Sequence, residues 1–188
     1  SRVAAILARL HTAGLVYGDI SPNNCFVGHG DEPEVWLIDA DNLRYEVLEG
    51  GNAVYTPRYG APEIVQGRDR SRPRTDCWAF SVMAFETLAL VHPFVGRQVL
   101  NPDDDAGGWD AEPATEGTPA DLDEQAYAGY LPFVDDEEDD SNPAMSGLPR
   151  GLVTTPQLAK FFQETFSAGR TKAWRRPVAA YWAQELTR

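Results

Sequence analysis

Tyr17-Gly18-Asp19-Ile20-Ser21-Pro22-Asn23-Asn24 is the stretch on which the fold of this chain turns. Gly18 and Pro22 break any regular helix or strand, so Asp19 and, five positions on, Asn24 sit on a loop. Such a loop can aim one carboxylate at a substrate hydroxyl while the asparagine amide oxygen binds a hard cation. Taken singly, the two residues are as well explained as caps of local turns. Working outward, Val35-Trp36-Leu37-Ile38 is an apolar run bounded by Pro33 and a polar turn, and it reads as a short strand. It ends in Asp39-Ala40-Asp41-Asn42, which brings another carboxylate to a strand tip.

In this order these residues resemble the eukaryotic-like Ser/Thr protein kinases. Tyr17-Gly18-Asp19 stands where that family has His-Arg-Asp, Asn24 where it has the catalytic-loop asparagine, and Asp39-Ala40-Asp41 where it has Asp-Phe-Gly. Further along, Ala61-Pro62-Glu63 matches the end of the activation segment, and Asp76-Cys77-Trp78-Ala79-Phe80 resembles the start of the family's central helix. Arg176-Pro177 resembles its late Arg-Pro pair. Six elements in register are far more specific than any one of them.

The resemblance implies an α+β, protein-kinase-like fold over residues 1–188, and a divergent bacterial member of the family. This would be the mostly helical C-terminal lobe, with short strands around the catalytic loop. Asp19 would orient the attacking hydroxyl and accept its proton, while Asn24 and Asp39 would hold Mg²⁺ on the phosphates of ATP. Thr56 and Tyr59 would belong to the substrate-docking segment, and Thr56 matches the threonine found in members directed at Ser or Thr. Glu63 and Arg176 would form a buried structural ion pair, and Asp76 would anchor the backbone of the catalytic loop.

The departures narrow the expectation. There is no glycine-rich phosphate loop, and the only lysines, Lys160 and Lys172, lie at the far end. The N-terminal lobe is therefore absent here and expected in a longer parent chain, and this stretch alone is expected to turn over little or not at all. Gly18 replaces an arginine that receives a phosphate in many relatives, and no Ser or Thr lies between Asn42 and Val54, so loop phosphorylation is not expected to be the switch. Ser21 replaces a lysine and Ala40 a phenylalanine. Those losses keep open a pseudokinase serving as a scaffold or binding module, against which stand Asp19, Asn24 and Asp39. A small-molecule kinase of the aminoglycoside phosphotransferase type also resembles Gly18-Asp19 and Ile38-Asp39-Ala40-Asp41. Ala61-Pro62-Glu63 with Arg176-Pro177 argues against it, since they build a peptide-docking segment. The favoured expectation is phosphotransfer from ATP to protein Ser or Thr by the complete protein.

With 188 residues, 43% of them hydrophobic, the chain is long enough for one substantial core. No apolar stretch reaches the roughly 18 residues of a membrane span, so no membrane partner is expected. Cys25 and Cys77 lack metal-ligand spacing and read as reduced thiols, which fits a cytoplasmic location. The net charge of −13 comes from residues 101–149, which hold fifteen Asp and Glu and no Lys or Arg. The remainder is nearly neutral and gives no sign of nucleic-acid binding.

Residues from about 96 to 150 read as an acidic, poorly ordered insertion, partly draped over the domain by Trp109, Tyr127, Tyr130, Leu131 and Phe133. Its run from Asp135 to Asp140 reads by default as a solvated acidic run, and as the sharper alternative would draw a basic protein substrate or partner to the docking face. Helices are expected from about Val3 to Leu10, from Thr75 to Leu90 without a polar face, from Thr155-Pro156 to a stop at Gly169, and finally through Val178, Tyr181, Trp182 and Leu186. The aromatic residues of the last two are expected in the core. Glu86, alone in an apolar helix, needs a partner that the pattern does not name.

Overall fold

A computed structural model describes residues 1–31, 34–47, 54–101 and 119–187. Its first helix, α1 (Arg2–Thr12), buries Ala4 and Leu7 on the face set by the apolar spacing. Beyond it Gly14 takes φ +73°, a conformation that ends a helix most cheaply with glycine. Four short strands follow. β1 (Leu15–Val16) and β2 (Cys25–Val27) flank residues 17–24; β3 (Val35–Leu37) pairs antiparallel with β2, and β4 (Arg44–Tyr45) pairs antiparallel with β1. The loop containing Asp19 and Asn24 is thus held at both ends by backbone ladders.

The single-turn helix α2 (Pro62–Val65) leads to the long α3 (Pro73–Ala89), which buries side chains all round, as its lack of a polar face requires. Trp78 stacks on Phe94 at 5.5 Å between ring centroids and meets Phe166 edge-on at 5.5 Å. Phe85 meets Phe133, Phe162 and Phe166 at 5.4, 5.1 and 6.0 Å. Rings of this size contribute about 2–3 kcal/mol each by burial, so this cluster accounts for much of the stability. After the short α4 (Arg97–Leu100), α5 (Pro119–Tyr127) and α6 (Arg150–Val153) comes α7 (Pro156–Gln163), capped as its sequence predicts by Thr155, whose Oγ1 accepts from the Leu158 amide at 3.1 Å. None of the described helices is long and apolar enough to cross a membrane.

Three features differ from the sequence-based expectations. Gly169 does not end the α7 stretch: a π-helical turn (Glu164–Ala168) carries it into α8 (Gly169–Thr171). Glycine weakens a helix by only about 1 kcal/mol, less than the burial of Phe166 supplies. In α9 (Ala179–Glu185) Trp182 is fully buried against Phe80, Phe161 and Phe162, whereas Tyr181 is 58% exposed. Trp182 takes the face of α9 turned to the core, and Tyr181, about 100° round the helix, falls on the solvent side. Trp174, just before this helix, is 67% exposed, with the Arg175 guanidinium over its ring.

The third concerns the acidic stretch. Residues 102–118, with Trp109, lie outside those described. Further on the chain contributes to the core, with Ala126, Leu131, Phe133 and Val134 buried. Asn142 is wholly enclosed; its Nδ2 donates to the carbonyls of Phe94 and Pro132 at 3.1 and 2.9 Å, and its Oδ1 accepts from the Gln98 amide at 3.1 Å. Gly96 lies so near that a β-carbon would stand 2.3 Å from the Asn142 carbonyl oxygen. Two carboxylates of the acidic run also face inward: Asp135 pairs with Arg150 at 2.6 Å, and Asp136 accepts from Gln163 and Ser167.

Candidate active site

Asp76 lies in the first turn of α3 and is 2% exposed. Its Oδ1 accepts from the Gly18 amide at 2.8 Å, and its Oδ2 from the Tyr17 amide at 2.8 Å and from His11 Nε2 at 3.0 Å. A buried carboxylate is tolerable when it is satisfied in this way, and here the satisfaction ties the loop to the most deeply buried helix. Gly18 adopts φ +88°, which a side chain would strain by roughly 1–2 kcal/mol. That is a local reason for glycine beside the aspartate.

So held, the loop presents Asp19 with both carboxylate oxygens engaged. Thr56 Oγ1 donates to Oδ1 at 2.7 Å and Asn24 Nδ2 to Oδ2 at 3.0 Å; the same Nδ2 reaches the Asp19 carbonyl at 2.8 Å. The Asn24 amide oxygen is left without a protein partner among the described residues. The Ile38 amide donates to the Asn24 carbonyl at 2.9 Å, and the Tyr17 hydroxyl donates to the carbonyls of Ile38 and Asp39. Asn24 and Asp39 therefore share one backbone junction. Burial, with the nearby negative groups Cys25, Asp19, Asp39 and Asp76 adding to it, pushes the Tyr17 hydroxyl up to about 12, so it stays a donor.

Asp39 itself is left-handed, with φ 60° and ψ 66°, a region that aspartate tolerates better than most residues, and its side chain is exposed. Among the described residues no group of three or more His, Cys, Asp or Glu gathers around a metal position. One carboxylate and one amide oxygen suit instead a hard cation that brings water and phosphate oxygens with it, as Mg²⁺ does. Asn24 and Asp39 fit that role. Ser21 is fully buried and its hydroxyl is unpartnered among the described residues, so it faces the interior rather than a phosphate.

The segment from Thr56 to Glu63 is fastened at two points. Near Asp19, Thr56 to Tyr59 form a turn closed by the Tyr59 amide on the Thr56 carbonyl at 3.1 Å. Here Glu86 finds its partners: Arg58 Nη2 donates to Oε1 at 2.8 Å and the Tyr59 hydroxyl to Oε2 at 2.6 Å. Burial and the Glu86 hydrogen bond raise the Tyr59 hydroxyl well above its ordinary value, so it too remains a donor. At the other end, Glu63 and Arg176 form a bidentate pair at 2.6 and 2.7 Å. The guanidinium is fully buried, lies over the Trp78 ring at 4.8 Å, and also donates to the carbonyls of Gly169 and Arg74 at 2.9 and 3.2 Å.

His11 and His92 are the site's unforeseen members. His11 lies one turn before the loop, and nothing in the sequence spacing couples it to Asp76, 65 residues away. His92, only 4% exposed, accepts from the Phe94 amide on Nδ1 at 3.3 Å and donates from Nε2 to the Arg58 carbonyl at 3.2 Å, which defines the neutral ring. Burial lowers its pKa to about 4, against a smaller opposing effect of Glu86. Unfolded His92 protonates near 6.5, so between 6.5 and 4 the unfolded chain binds the extra proton and stability falls as pH falls. The loss approaches about 3 kcal/mol by pH 4. Urea titrations from pH 7 to 4 should show this slope flattened in His92→Asn; an unchanged slope would discount His92.

The family model described as "Protein kinase domain" matches residues 1–106. Ribosomal protein S6 kinase alpha-3 of Mus musculus and of Homo sapiens is 32% identical over 101 residues, 52% of this chain and 13% of the relative. The RAC family serine/threonine-protein kinase homolog of Dictyostelium discoideum is 27% identical over 103 residues, 53% of this chain and 22% of the relative. The chain thus spans less than a quarter of the length of these relatives.

Proposed function

The chain belongs to the protein kinase domain family, matched over residues 1–106, and from that premise we propose that the complete protein phosphorylates Ser or Thr of a protein with ATP and Mg²⁺. The observation that carries this is Asp19: a fixed carboxylate on a loop anchored by Asp76, with Thr56 on one oxygen and Asn24 on the other. A carboxylate so restrained can receive the acceptor hydroxyl along one direction. The hydroxyl oxygen forms the new bond to phosphorus as its proton passes to Asp19, and the bond from phosphorus to the leaving diphosphate breaks. Mg-ATP supplies the phosphoryl group and the charge neutralisation when bound. Asn24 and Asp39 would hold the cation, and Tyr17 keeps their junction in place.

A scaffold without turnover is the second reading, favoured by one observation. Ser21 is buried where relatives carry a lysine, so it adds no positive charge at the transferred group. The aminoglycoside phosphotransferase alternative is weakened by the Glu63–Arg176 clamp, which serves a docking segment suited to peptides. The two cysteines are unpaired, in keeping with a reducing cytoplasm. The second lobe of the nucleotide cleft belongs to the longer parent chain in this reading, and neither nucleic acid nor membrane is a partner. The test is phosphate transfer from Mg-ATP by the N-terminally extended protein, with Asp39→Asn beside it. Transfer abolished in the variant supports catalysis; nucleotide binding without transfer by the unaltered protein sinks it in favour of the scaffold.

A further inference from the structure

Arg58 occupies a position that arginine does not choose. In the Thr56–Tyr59 turn it follows Pro57 and takes φ +80°, where glycine or asparagine is the usual occupant. Such a backbone persists only when its surroundings over-determine it, and three contacts do so here. His92 donates to its carbonyl at 3.2 Å, Glu86 takes one guanidinium nitrogen at 2.8 Å, and the guanidinium lies 4.8 Å from the centre of the Tyr127 ring. The side chain nevertheless remains 46% exposed, two residues from the threonine on Asp19. A guanidinium has five N–H donors, so Glu86 leaves several of them able to meet a carboxylate.

Along the chain, the charged residues that follow Arg58 are mostly basic. Arg58, Arg68, Arg70, Arg72 and Arg74 crowd residues 58–74, against Glu63 and Asp69. Glu63 is consumed by the buried Arg176 and Asp69 is paired with Arg72 at 2.9 Å. Glu86 already accepts from Arg58 and Tyr59, one on each oxygen, which leaves less of its charge for a cationic side chain from an acceptor. Of the acidic run that would favour a basic acceptor, Asp135 and Asp136 are turned toward Arg150, Gln163 and Ser167, and only Glu137 to Asp140 stay exposed.

We infer that the docking segment selects acceptor peptides with acidic side chains next to the phosphorylated Ser or Thr, and that Arg58 reads them. This rests on the phosphotransfer reading for its acceptor, but docking can be measured without turnover. Two fluorescent peptides, identical except that one flanks a single threonine with glutamates and the other with lysines, are titrated into the N-terminally extended protein without nucleotide. The glutamate peptide should bind about two- to five-fold tighter, as one partly exposed charge pair allows, and the gap should shrink as salt rises. Arg58→Glu, which sets a second carboxylate beside Glu86, should reverse the order. Arg58→Gly suits the turn and should fold at least as well, yet should abolish the preference. Equal binding, tighter binding of the lysine peptide, or a preference that survives Arg58→Gly overturns the inference. Phosphate transfer is then assayed on the same peptides; its absence beside an intact preference overturns the phosphotransfer reading alone.

Discussion

Asp19→Asn is expected to lower phosphate transfer by the N-terminally extended protein by about two to four orders of magnitude, the usual contribution of a positioned general base. The replacement has nearly the same shape and can still accept from Thr56, whose hydroxyl lies 2.7 Å from Oδ1. It changes the other side: an amide nitrogen at Oδ2 would oppose Asn24 Nδ2, now 3.0 Å away as a donor. Asn24 must then turn its amide, so under the proposed phosphotransfer the variant loses the base and also disturbs the amide oxygen proposed to hold the cation. Nucleotide affinity separates these effects, since loss of the base alone leaves it unchanged. Initial rates with excess acceptor, with a melting curve beside them, make the test. A rate within about ten-fold of the unaltered protein would remove Asp19 from the chemistry.

The largest effect on stability is expected from breaking the Glu63–Arg176 pair. Glu63→Ala leaves a fully buried guanidinium with the carbonyls of Gly169 and Arg74 and the Trp78 ring, but no counter-charge. Stranding such a charge costs about 3–5 kcal/mol, read by urea denaturation at neutral pH. For a domain of this size that corresponds to a melting point lower by roughly 10 °C. The double variant Glu63→Leu with Arg176→Met should be more stable than Glu63→Ala, because no charge is left behind. A single variant that costs under about 1 kcal/mol would mean that water reaches the pair. Loss of the pair also frees the C-terminal end of the docking segment, so the variants should bind acceptor peptide more weakly.

Asp19, Asn24, Asp39, Glu63, Asp76 and Arg176 were legible because each lies in a short run whose residue types and order are informative together. Asp19, Asn24 and Asp39 are placed by nearby backbone, one hairpin and the loop it flanks, whereas Asp76 and the Glu63–Arg176 pair act across 58 and 113 residues and are read only through the order of the runs that hold them. The partners of Glu86 were not legible, because Arg58 reaches it only from a left-handed backbone that no propensity favours for arginine. His11 escaped for a related reason: its contact with Asp76 joins elements distant in sequence, and a lone histidine carries no periodicity. The acidic stretch was legible in part: its composition is that of disorder, while Leu131 and Phe133, read as draping it over the domain, are buried, Phe133 against Phe85 and Phe166. Composition averages over a window, whereas burial depends on a few positions.

The clamp on the docking segment joins residues 113 apart, and this has a consequence during synthesis. At about 5–20 residues per second, Glu63 leaves the ribosome roughly 6–20 s before Arg176. The catalytic loop can fold against α3 well within that interval, because Asp76 follows it by only 58 residues. The docking segment cannot be completed. Newly made chains therefore pass through a state with the loop formed and the peptide platform open, and a nascent chain stalled before Arg176 would hold that state. Protease sensitivity confined to residues 54–72 in such stalled chains would be its signature.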